Sequence, residues 1–388
     1  MATVLFGNWN YPTPIRFGAG RIKELSDACK SVGMKNPLLI TDPGLAALPM
    51  VSDAIARNNA DGLPTGLFSN VKPNPVSKNV DDGVKAYLAG GHDGVIAWGG
   101  GSGVDAAKAV ALMVGQTSTI WDFEDVGDNW TRVNVDGVAP IVAVPTTSGT
   151  GSEVGRASVI VNEETHTKKV IFHPAMLPQV VICDPELVTG LPPALTAYTG
   201  MDALVHCFEA YCAPGYHPMA EGIALEGMRL VQQWLPAAVK DGSDIEARAH
   251  MMSAAAMGAT AFQKGLGAVH SLSHPVGSVY DTHHGLTNAV FMPYVMNFNR
   301  PAIKDRMDLL AQYLDLPGSG FSAVMDWVLE LRQTFNIANT PVDLGVEENR
   351  LHELSEMAAN DPTAGGNPIP VGTNEMKVMY QAAMAGRL

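Results

Sequence analysis

The sequence has little positive charge and no long apolar run. Its 388 residues carry 25 Lys and Arg against 39 Asp and Glu, a formal net charge of −14. Nucleic acids and anionic membranes need a basic surface, so this balance argues against both and favours small molecules as partners. A membrane-spanning helix needs about twenty apolar residues, and the sequence has no such run. The start, MATVLFGNWNYP, lacks the basic and apolar regions of a secretory signal, so we expect a protein that is neither secreted nor membrane-bound.

Cysteine is also scarce. The four cysteines, Cys29, Cys183, Cys207 and Cys212, include no C-x-x-C pair. They are too few and too scattered for a disulfide framework in a chain of this size. A reducing compartment fits this usage best, so the expected location is cytoplasmic.

The first half of the sequence alternates short apolar runs of β type with helical stretches. The runs lie at 37–42, 94–98, 139–145, 157–162 and 179–185. Such alternation is typical of a parallel α/β sheet. Several runs end directly in Gly, Asp, Thr or Ser, and open α/β sheets bind ligands at the carboxyl ends of their strands. Because 388 residues exceed one ordinary core, we expect two domains, the first an α/β domain over residues 1–190.

From residue 191 onward the pattern becomes helical. The paired prolines in LPPALTAYTG (191–200) can stop one element and open a helix. The stretches 250–262 and 322–335 are rich in Ala, Met and Leu with helical spacing. Their methionines fit core packing better than a cofactor site. We therefore expect an all-helical second domain over residues 191–388.

A glycine loop, GGGSG, occupies residues 99–103 between an apolar run and a helical stretch. Backbone N–H groups in such a loop can approach a pyrophosphate at the positive end of a helix. The loop does not spell the dinucleotide fingerprint G-x-G-x-x-G, because Val104 stands at the last glycine position. Phosphate binding and a tight structural turn both remain open for this loop alone.

A second polar loop, PTTSGTGSE (145–153), follows the next apolar run and contains five hydroxyl side chains. It could donate to a diphosphate or a nicotinamide carboxamide, or it could be an ordinary polar turn. Asp42 ends another run; it could accept from both ribose hydroxyls of NAD and repel the 2′-phosphate of NADP. As the residue before Pro43, it could instead form a turn, which is the better interpretation of Asp42 taken by itself. Two phosphate-type loops after two strands of one sheet together favour a nucleotide site.

Side chains with metal-ligand chemistry occur in the helical half. Asp202 and His206 are four residues apart, as are His270 and His274, so each pair projects from one helix face. His284 follows ten residues after His274. One carboxylate oxygen and three imidazole nitrogens suit Fe(II) or Zn(II) and leave a position for a substrate oxygen. One such pair is usually structural, but two pairs with a third histidine segment predict a metal site.

These motifs occur in a specific order. GGGS with Asp105 and Lys108 is followed by PTTSGTGSE, LPPALTAYTGMDALVH, GLGAVHSLSHPVG and DTHHGLTNAVFMPYVMNFN. The ordered set resembles the iron-dependent (group III) alcohol dehydrogenases, the family of propanediol oxidoreductase and butanol dehydrogenase, over residues 10–388. The resemblance implies the dehydroquinate synthase-like fold, with a Rossmann-like α/β N-terminal domain and an all-α C-terminal domain. It also implies that a cleft between them holds NAD(P) and a divalent metal.

Carried over residue by residue, the resemblance implies individual roles. The implied metal ligands are Asp202, His206, His270 and His284. His274 matches a histidine beside the metal that takes part in proton transfer. Asp42 falls at the ribose-contacting position, where NADP-preferring members usually have a smaller residue, so NAD is the expected cofactor. The implied cofactor-binding residues are Asp42, Asn74, Gly100, Gly101, Ser102, Thr146, Thr147, Lys169 and Leu187.

The implied reaction is hydride transfer between a small primary alcohol or diol and NAD, giving the aldehyde. Iron and zinc both remain open, because the two accept the same ligands. Ala157 and Thr363 stand where some members carry Asn and Cys, whereas Phe262 is retained, so the substrate pocket departs from the family pattern. Members commonly form dimers through an N-terminal strand, and YPTPIRFGAG (11–20) could supply it, so a homodimer is expected.

Other activities remain to be weighed. The same superfamily includes zinc-dependent glycerol dehydrogenase, metal-free maleylacetate reductase and a hydroxyacid–oxoacid transhydrogenase that keeps NAD bound. Retention of Asp202 and three histidines argues against the metal-free enzyme. A non-catalytic nucleotide-binding protein is disfavoured because the residues that the chemistry needs are present. A hydrolase would require the elbow G-x-S-x-G, but residues 148–152 read SGTGS.

Overall fold

The chain folds into two compact units. The computed structural model describes residues 7–9, 13–165 and 167–388. Unit 1 comprises Met1–Leu191 with Gly242–Met252, and unit 2 comprises Pro192–Asp241 with Ser253–Leu388.

Unit 1 is built on a mainly parallel seven-stranded sheet with connecting helices and a separate two-stranded ribbon. Its strands are β1 (Gly7–Trp9), β2 (Ile15–Phe17), β3 (Leu38–Ile40), β4 (Gly66–Phe68), β5 (Val95–Gly99), β6 (Ile141–Pro145), β7 (Ala157–Asn162), β8 (Thr167–Phe172) and β9 (Val180–Cys183). The main sheet has seven strands in the order β1-β2-β9-β6-β5-β3-β4. Its pairings are parallel except for β1 with β2.

Helices connect the parallel strands of unit 1. They are α1 (Leu25–Ser31), α2 (Pro43–Ala46), α3 (Pro49–Ala60), α4 (Ser77–Ala89) and α5 (Gly101–Met113). Every residue of β3, β5, β6 and β9 is buried. Parallel strands are covered on both faces, which is why these segments read as continuous apolar runs rather than alternating ones. Four of the five predicted strand segments are thereby confirmed in the parallel sheet.

The predicted strand at 157–162 lies elsewhere, and its assignment to the parallel sheet was wrong. It forms β7, which pairs antiparallel with β8 in the two-stranded ribbon. The connection from β7 to β8 is far too short for the crossover that parallel strands require. Burial alternates along the first half of β7, as expected for a strand with one solvated face.

The strand order changes direction at β3. The chain runs from β3 to its neighbour β4, then returns to β5 on the other side of β3. Connections that leave such a switch point diverge, and the space between them is where open α/β sheets bind ligands. Asp42 follows β3, and the glycine loop follows β5, so the two candidate nucleotide segments flank this point.

Unit 2 is helical. Together with α8, which begins in the 242–252 segment of unit 1, its helices are α6 (Pro193–Cys212), α7 (Pro218–Lys240), α8 (Ile245–Ala261), α9 (Ala268–Tyr280), α10 (His284–Tyr313), α11 (Gly320–Thr334), α12 (Leu351–Ala359) and α13 (Thr373–Met384). Residues 191–388 contain no strand, which confirms the predicted change from an α/β pattern to a helical one. Among the described residues, no helix combines the length and apolarity that crossing a membrane demands.

The segment 11–20, considered as a dimer strand, is described only from residue 13 onward; Tyr11 and Pro12 lie outside the described residues. Its strand, β2, is flanked by β1 and β9. Among the described strands, the outermost one on this side of the sheet is therefore β1, at residues 7–9.

Candidate metal centre and nucleotide loops

Helix α6 presents the first two candidate ligands. The chain enters it through Pro192 and Pro193, with Pro193 at the first helical position, where a missing N–H costs nothing. Asp202 and His206 lie one turn apart and are 2% and 4% exposed. A buried carboxylate is costly unless a cation or strong donors compensate it, so their burial on one face already indicates a site.

Two further helices complete the group. His270 lies in the first turn of α9, and His284 is the first residue of α10. The ligand atoms of Asp202, His206, His270 and His284 all lie within 4.8 Å of one another. Asp202 Oδ1 is 3.9 Å from His206 Nε2 and 3.5 Å from His284 Nε2. The structure thus brings together the four side chains named from the sequence.

A glycine allows α10 to come close to α6. A Cβ at Gly285 would overlap the Tyr198 carbonyl and lie 3.0 Å from Asp202 Cβ. His284, the residue before it, thereby reaches the buried group. Its side chain remains 25% exposed, against 3% for Asp202, so the group is open on the His284 side.

The donor set fits a divalent transition metal. It offers one hard carboxylate oxygen and three borderline imidazole nitrogens, the ligand chemistry of Fe(II) and Zn(II). Asn288, one turn beyond His284, touches three of the four candidate ligand atoms. Its Nδ2 is 2.8 Å from Asp202 Oδ1 and 3.2 Å from both His270 Nε2 and His284 Nε2.

A buried carboxylate supports His270. Glu209 Oε2 lies 2.6 Å from His270 Nδ1, and Glu209 Oε1 accepts from the Val269 N–H at 2.7 Å. Burial alone would lower the pKa of His270, but the charge of Glu209 and this hydrogen bond outweigh it and raise the pKa.

His274 lies beside the four candidate ligands rather than among them. Its ring centroid is 5.7 Å from that of His270 and 5.3 Å from that of His284. Its Nδ1 is 2.8 Å from Asp361 Oδ2. Burial opposes ionisation of Asp361, but His274 and donors from Thr363 overcome it and lower the pKa of that carboxyl. His274 is therefore held at the edge of the group by an ionised partner.

Thr363 and Ala157, which depart from the family pattern, and the retained Phe262 lie in different surroundings. Thr363 bonds Asp361 through both its backbone N–H and its hydroxyl, and Ser271 Oγ lies 2.8 Å from that hydroxyl. Phe262 packs with its ring centroid 5.2 Å from that of His206. Ala157 lies at the start of β7 in unit 1, where its carbonyl accepts from Lys108 Nζ.

The two polar loops of unit 1 touch each other. The Thr146 N–H donates to Gly99 O at 2.9 Å. A Cβ at Gly100 would lie 3.0 Å from Thr147 Cγ2, and one at Gly101 would lie 2.5 Å from Thr150 Cγ2. The absence of a Cβ at both glycines lets the threonine side chains of the second loop pack closely against the start of α5. The structure brings Gly100 and Gly101, next to Ser102, together with Thr146 and Thr147.

Buried charges hold the second loop in place. Lys108 on α5 is fully buried, and its Nζ donates to Ser152 O at 2.9 Å and to the Ala157 carbonyl. Burial lowers the pKa of Lys108. Asp105 accepts from the Val159 N–H at 3.0 Å and from the Ser152 hydroxyl. Burial raises the pKa of Glu153, in the same loop, to about 7.

The remaining candidate cofactor residues each have a local structural role. The Asp42 carboxylate accepts from Leu45 N at 3.0 Å and caps α2. Asn74 takes a left-handed conformation with φ 50°, in the segment whose Pro75 carbonyl bonds Val161 of β7. Lys169 pairs with Glu124 at 2.8 Å. Leu187 belongs to the hydrophobic core of unit 1.

Sequence reasoning missed three residues of the metal-centre environment: Glu209, Asn288 and Asp361. Two of them carried a signal. Glu209 follows His206 by three residues on α6, and Asn288 follows His284 by four on α10, so both share the ligand-bearing helix faces. Asp361 carried none, since only the fold brings it to His274.

Comparisons with known proteins agree with this architecture. The family model for iron-containing alcohol dehydrogenase matches residues 12–185, and the model for the C-terminal part of the Fe-containing alcohol dehydrogenase family matches residues 196–384. A 4-hydroxybutyrate dehydrogenase of Cupriavidus necator is 37% identical over 96% of this chain and 99% of its own. An NAD-dependent methanol dehydrogenase of Bacillus methanolicus is 36% identical over 93% and 95%.

A solved structure is similar over nearly the whole length. The crystal structure of 1,3-propanediol oxidoreductase superposes with a TM-score of 0.91 at 32% identity, covering 98% of this chain and 100% of that one. The two family models thus match both halves of the sequence, and the relatives match nearly its full length. The α/β and helical architecture agrees with that of the solved structure. The chain belongs to the iron-containing alcohol dehydrogenase family.

Proposed function

We propose that this protein interconverts a small primary alcohol or diol and its aldehyde, with NAD as hydride carrier and Fe(II) as the metal. Zn(II) is the alternative metal, since it accepts the same ligands. The observation that carries the proposal is the convergence of Asp202, His206, His270 and His284, whose ligand atoms lie within 4.8 Å of one another.

These four side chains would hold the metal. A divalent cation bound there supplies Lewis-acid activation of the alcohol oxygen, lowering the pKa of the hydroxyl. The chain contributes the ligand geometry and the approach for substrate. Because His284 is the most exposed of the four, its side of the group is the expected entrance. Phe262, packed against His206, would supply an apolar contact on the His206 side of the group.

His274 is proposed as the residue that moves the alcohol proton. Its Nδ1 is engaged by Asp361, so Nε2 is the ring nitrogen left to exchange a proton. Cysteine chemistry does not enter the proposal. Burial raises the pKa of Cys207 to about 12, which keeps this neighbour of His206 as an unreactive thiol.

Unit 1 is proposed to bind NAD, so that residues 1–190 serve the cofactor and residues 191–388 the metal. NAD supplies the hydride acceptor. The relative from Bacillus methanolicus is named an NAD-dependent enzyme. Asp42 beside the switch point would accept from ribose hydroxyls and repel the extra phosphate of NADP. The glycine loop and the threonine loop would provide backbone and hydroxyl donors to the pyrophosphate and the nicotinamide.

We further propose a homodimer that works in the cytoplasm. The edge position of β1 leaves that side of the sheet open to a second copy in the described strand order. The four cysteines are free and buried, as in a reducing compartment. Light scattering at micromolar concentration should give twice the monomer mass, and a monomer would refute the dimer.

The main test is anaerobic purification with metal analysis, followed by NADH formation on short primary alcohols, diols and 4-hydroxybutyrate. The panel includes the last because a relative is named for it. Stripped protein should be inactive and should recover with Fe(II), or with Zn(II), in proportion to bound metal. Full metal occupancy without NAD reduction on any substrate would overturn the reaction while leaving the site.

A further inference from the structure

Helix α6 carries a second buried carboxylate on the face of the candidate ligands. Glu209 follows His206 by three residues and is 5% exposed. Its two carboxylate oxygens have different partners, both on α9. Oε1 accepts from the Val269 N–H at 2.7 Å, and Oε2 lies 2.6 Å from His270 Nδ1.

The first contact caps a helix from outside. Val269 is in the first turn of α9, where backbone N–H groups have no partner within the helix. The neighbouring Ala268 N–H is capped separately, by Asn367 Oδ1 at 3.2 Å. A carboxylate at this position also interacts favourably with the positive end of the helix. Glu209 therefore ties the helix of Asp202 and His206 to the helix of His270.

The second contact selects a tautomer. A carboxylate only accepts hydrogen bonds, so the imidazole must carry a proton on Nδ1. In the neutral ring that leaves Nε2 bare, and a bare nitrogen is what a metal needs. His270 Nε2 is the nitrogen that faces the other candidate ligands, 3.2 Å from Asn288 Nδ2.

We infer that Glu209 is a positioning residue of the metal centre, which fixes the tautomer of His270 and aligns the two helices that carry three of its ligands. The inference rests on the proposed metal centre. Glu209 does not touch the candidate metal position and acts only through His270 and the backbone of α9.

The test uses Glu209→Gln in the full-length protein. The Gln side chain keeps the volume, and its Oε1 can still accept from Val269 N–H. Its amide then directs an N–H towards His270 Nδ1, which forces the proton of the neutral ring onto Nε2. The affinity of the metal-free protein for Zn(II) or Co(II), measured by chelator competition, should fall about 10- to 100-fold.

Asn367→Ala is the matched control, because it removes the other cap of α9 without touching a histidine. Asn367 also bonds Asn299, so this variant should lower the melting temperature of the metal-free protein. It should bind metal with nearly wild-type affinity. Equal metal affinities of Glu209→Gln and wild type would overturn the inference, as would equal losses in Glu209→Gln and Asn367→Ala.

A spectroscopic readout separates positioning from folding. In ¹⁵N-histidine spectra of the metal-free protein, recorded at a pH high enough for the His270 ring to be neutral and assigned with a His270→Asn variant, His270 should carry its proton on Nδ1 in wild type and on Nε2 in Glu209→Gln. Unchanged protonation would refute the inference. These spectra need no metal, so failure of wild type to bind one equivalent, or retention of metal by His206→Ala, would reject the proposed centre separately.

Discussion

The candidate metal centre of unit 2 and the polar loops of unit 1 are built on different principles. In unit 2, three helices direct four ligand-type side chains to one point, and Glu209 and Asp361 support the histidines there. In unit 1, several candidate cofactor residues already make structural contacts: Asp42 caps α2, and Lys169 pairs with Glu124. A metal demands converging side chains, whereas a dinucleotide demands mainly free backbone and space.

The strongest test of this difference removes one converging side chain. In His206→Ala, bound metal should fall below one equivalent. Activity should drop by more than the roughly 100-fold expected when a residue that hydrogen-bonds a metal ligand is replaced. NADH binding, followed by its fluorescence, should not change. His352→Ala is the control, because that side chain is 73% exposed on α12. Full metal content in His206→Ala would remove His206 from the ligand set.

The next test concerns the histidine beside the group. His274→Ala should lower turnover about 100-fold, as for loss of a general acid or base, while metal content stays near wild type. Asp361→Asn should lower turnover by a smaller factor, because His274 stays but loses its ionised partner. Loss of the metal in His274→Ala would instead make His274 a ligand.

The glycine loop offers the converse experiment. In Gly101→Ala the new Cβ would lie 2.5 Å from Thr150 Cγ2, so the loop must shift. Overpacking costs about 1–3 kcal/mol, so the KM for NAD should rise roughly tenfold or more. Metal content should stay constant. Gly190→Ala is the control, since nothing lies within 4 Å of a Cβ there. Loss of metal in Gly101→Ala would contradict the expectation that the glycine loop takes no part in holding the metal.

The smallest effect is expected at Asp42, where structural and cofactor roles overlap. Asp42→Ala removes the cap of α2 and should lower the free energy of unfolding by about 1 kcal/mol. It should also raise kcat/KM with NADP relative to NAD, because the carboxylate no longer repels the 2′-phosphate. Asp53→Ala, at an exposed position of α3, should change neither quantity. An unchanged cofactor ratio in Asp42→Ala would limit Asp42 to its capping role.

Much of the fold could be predicted because the signals were local. The buried strands β3, β5, β6 and β9 read as apolar runs, and the helices after Pro193 showed helical spacing. The partner of a strand is not a local property, and for this reason 157–162 was assigned to the wrong sheet. The strand β8 alternates too weakly and contains Lys168 and Lys169, so its sequence gave little sign of a strand.

The site was predictable to the extent that its members share helices. Asp202 with His206, and His270 with His274, were visible as pairs one turn apart. The family resemblance then implied that Asp202, His206, His270 and His284 are the metal ligands and that His274 lies beside them, and this assignment stays a prediction. The position of Glu209 on the ligand-bearing face of α6 was visible, but the contacts of Glu209 and Asp361 with histidines could not be seen, because each histidine lies on another part of the chain, 61 and 87 residues away.

The sequence by itself determined the division of this protein into an α/β part and a helical part. It also determined the polar loops that end the strands and the types of side chain available as metal ligands. Hydrophobic periodicity and turn preferences depend on residues only a few positions apart, so they can be recognised in the sequence. The tertiary structure decided which side chains meet. Only the packed helices put four ligand atoms within 4.8 Å and set a carboxylate against each of two histidines. Such convergence depends on close approaches between distant segments, like that of Gly285 to α6, which no local pattern encodes.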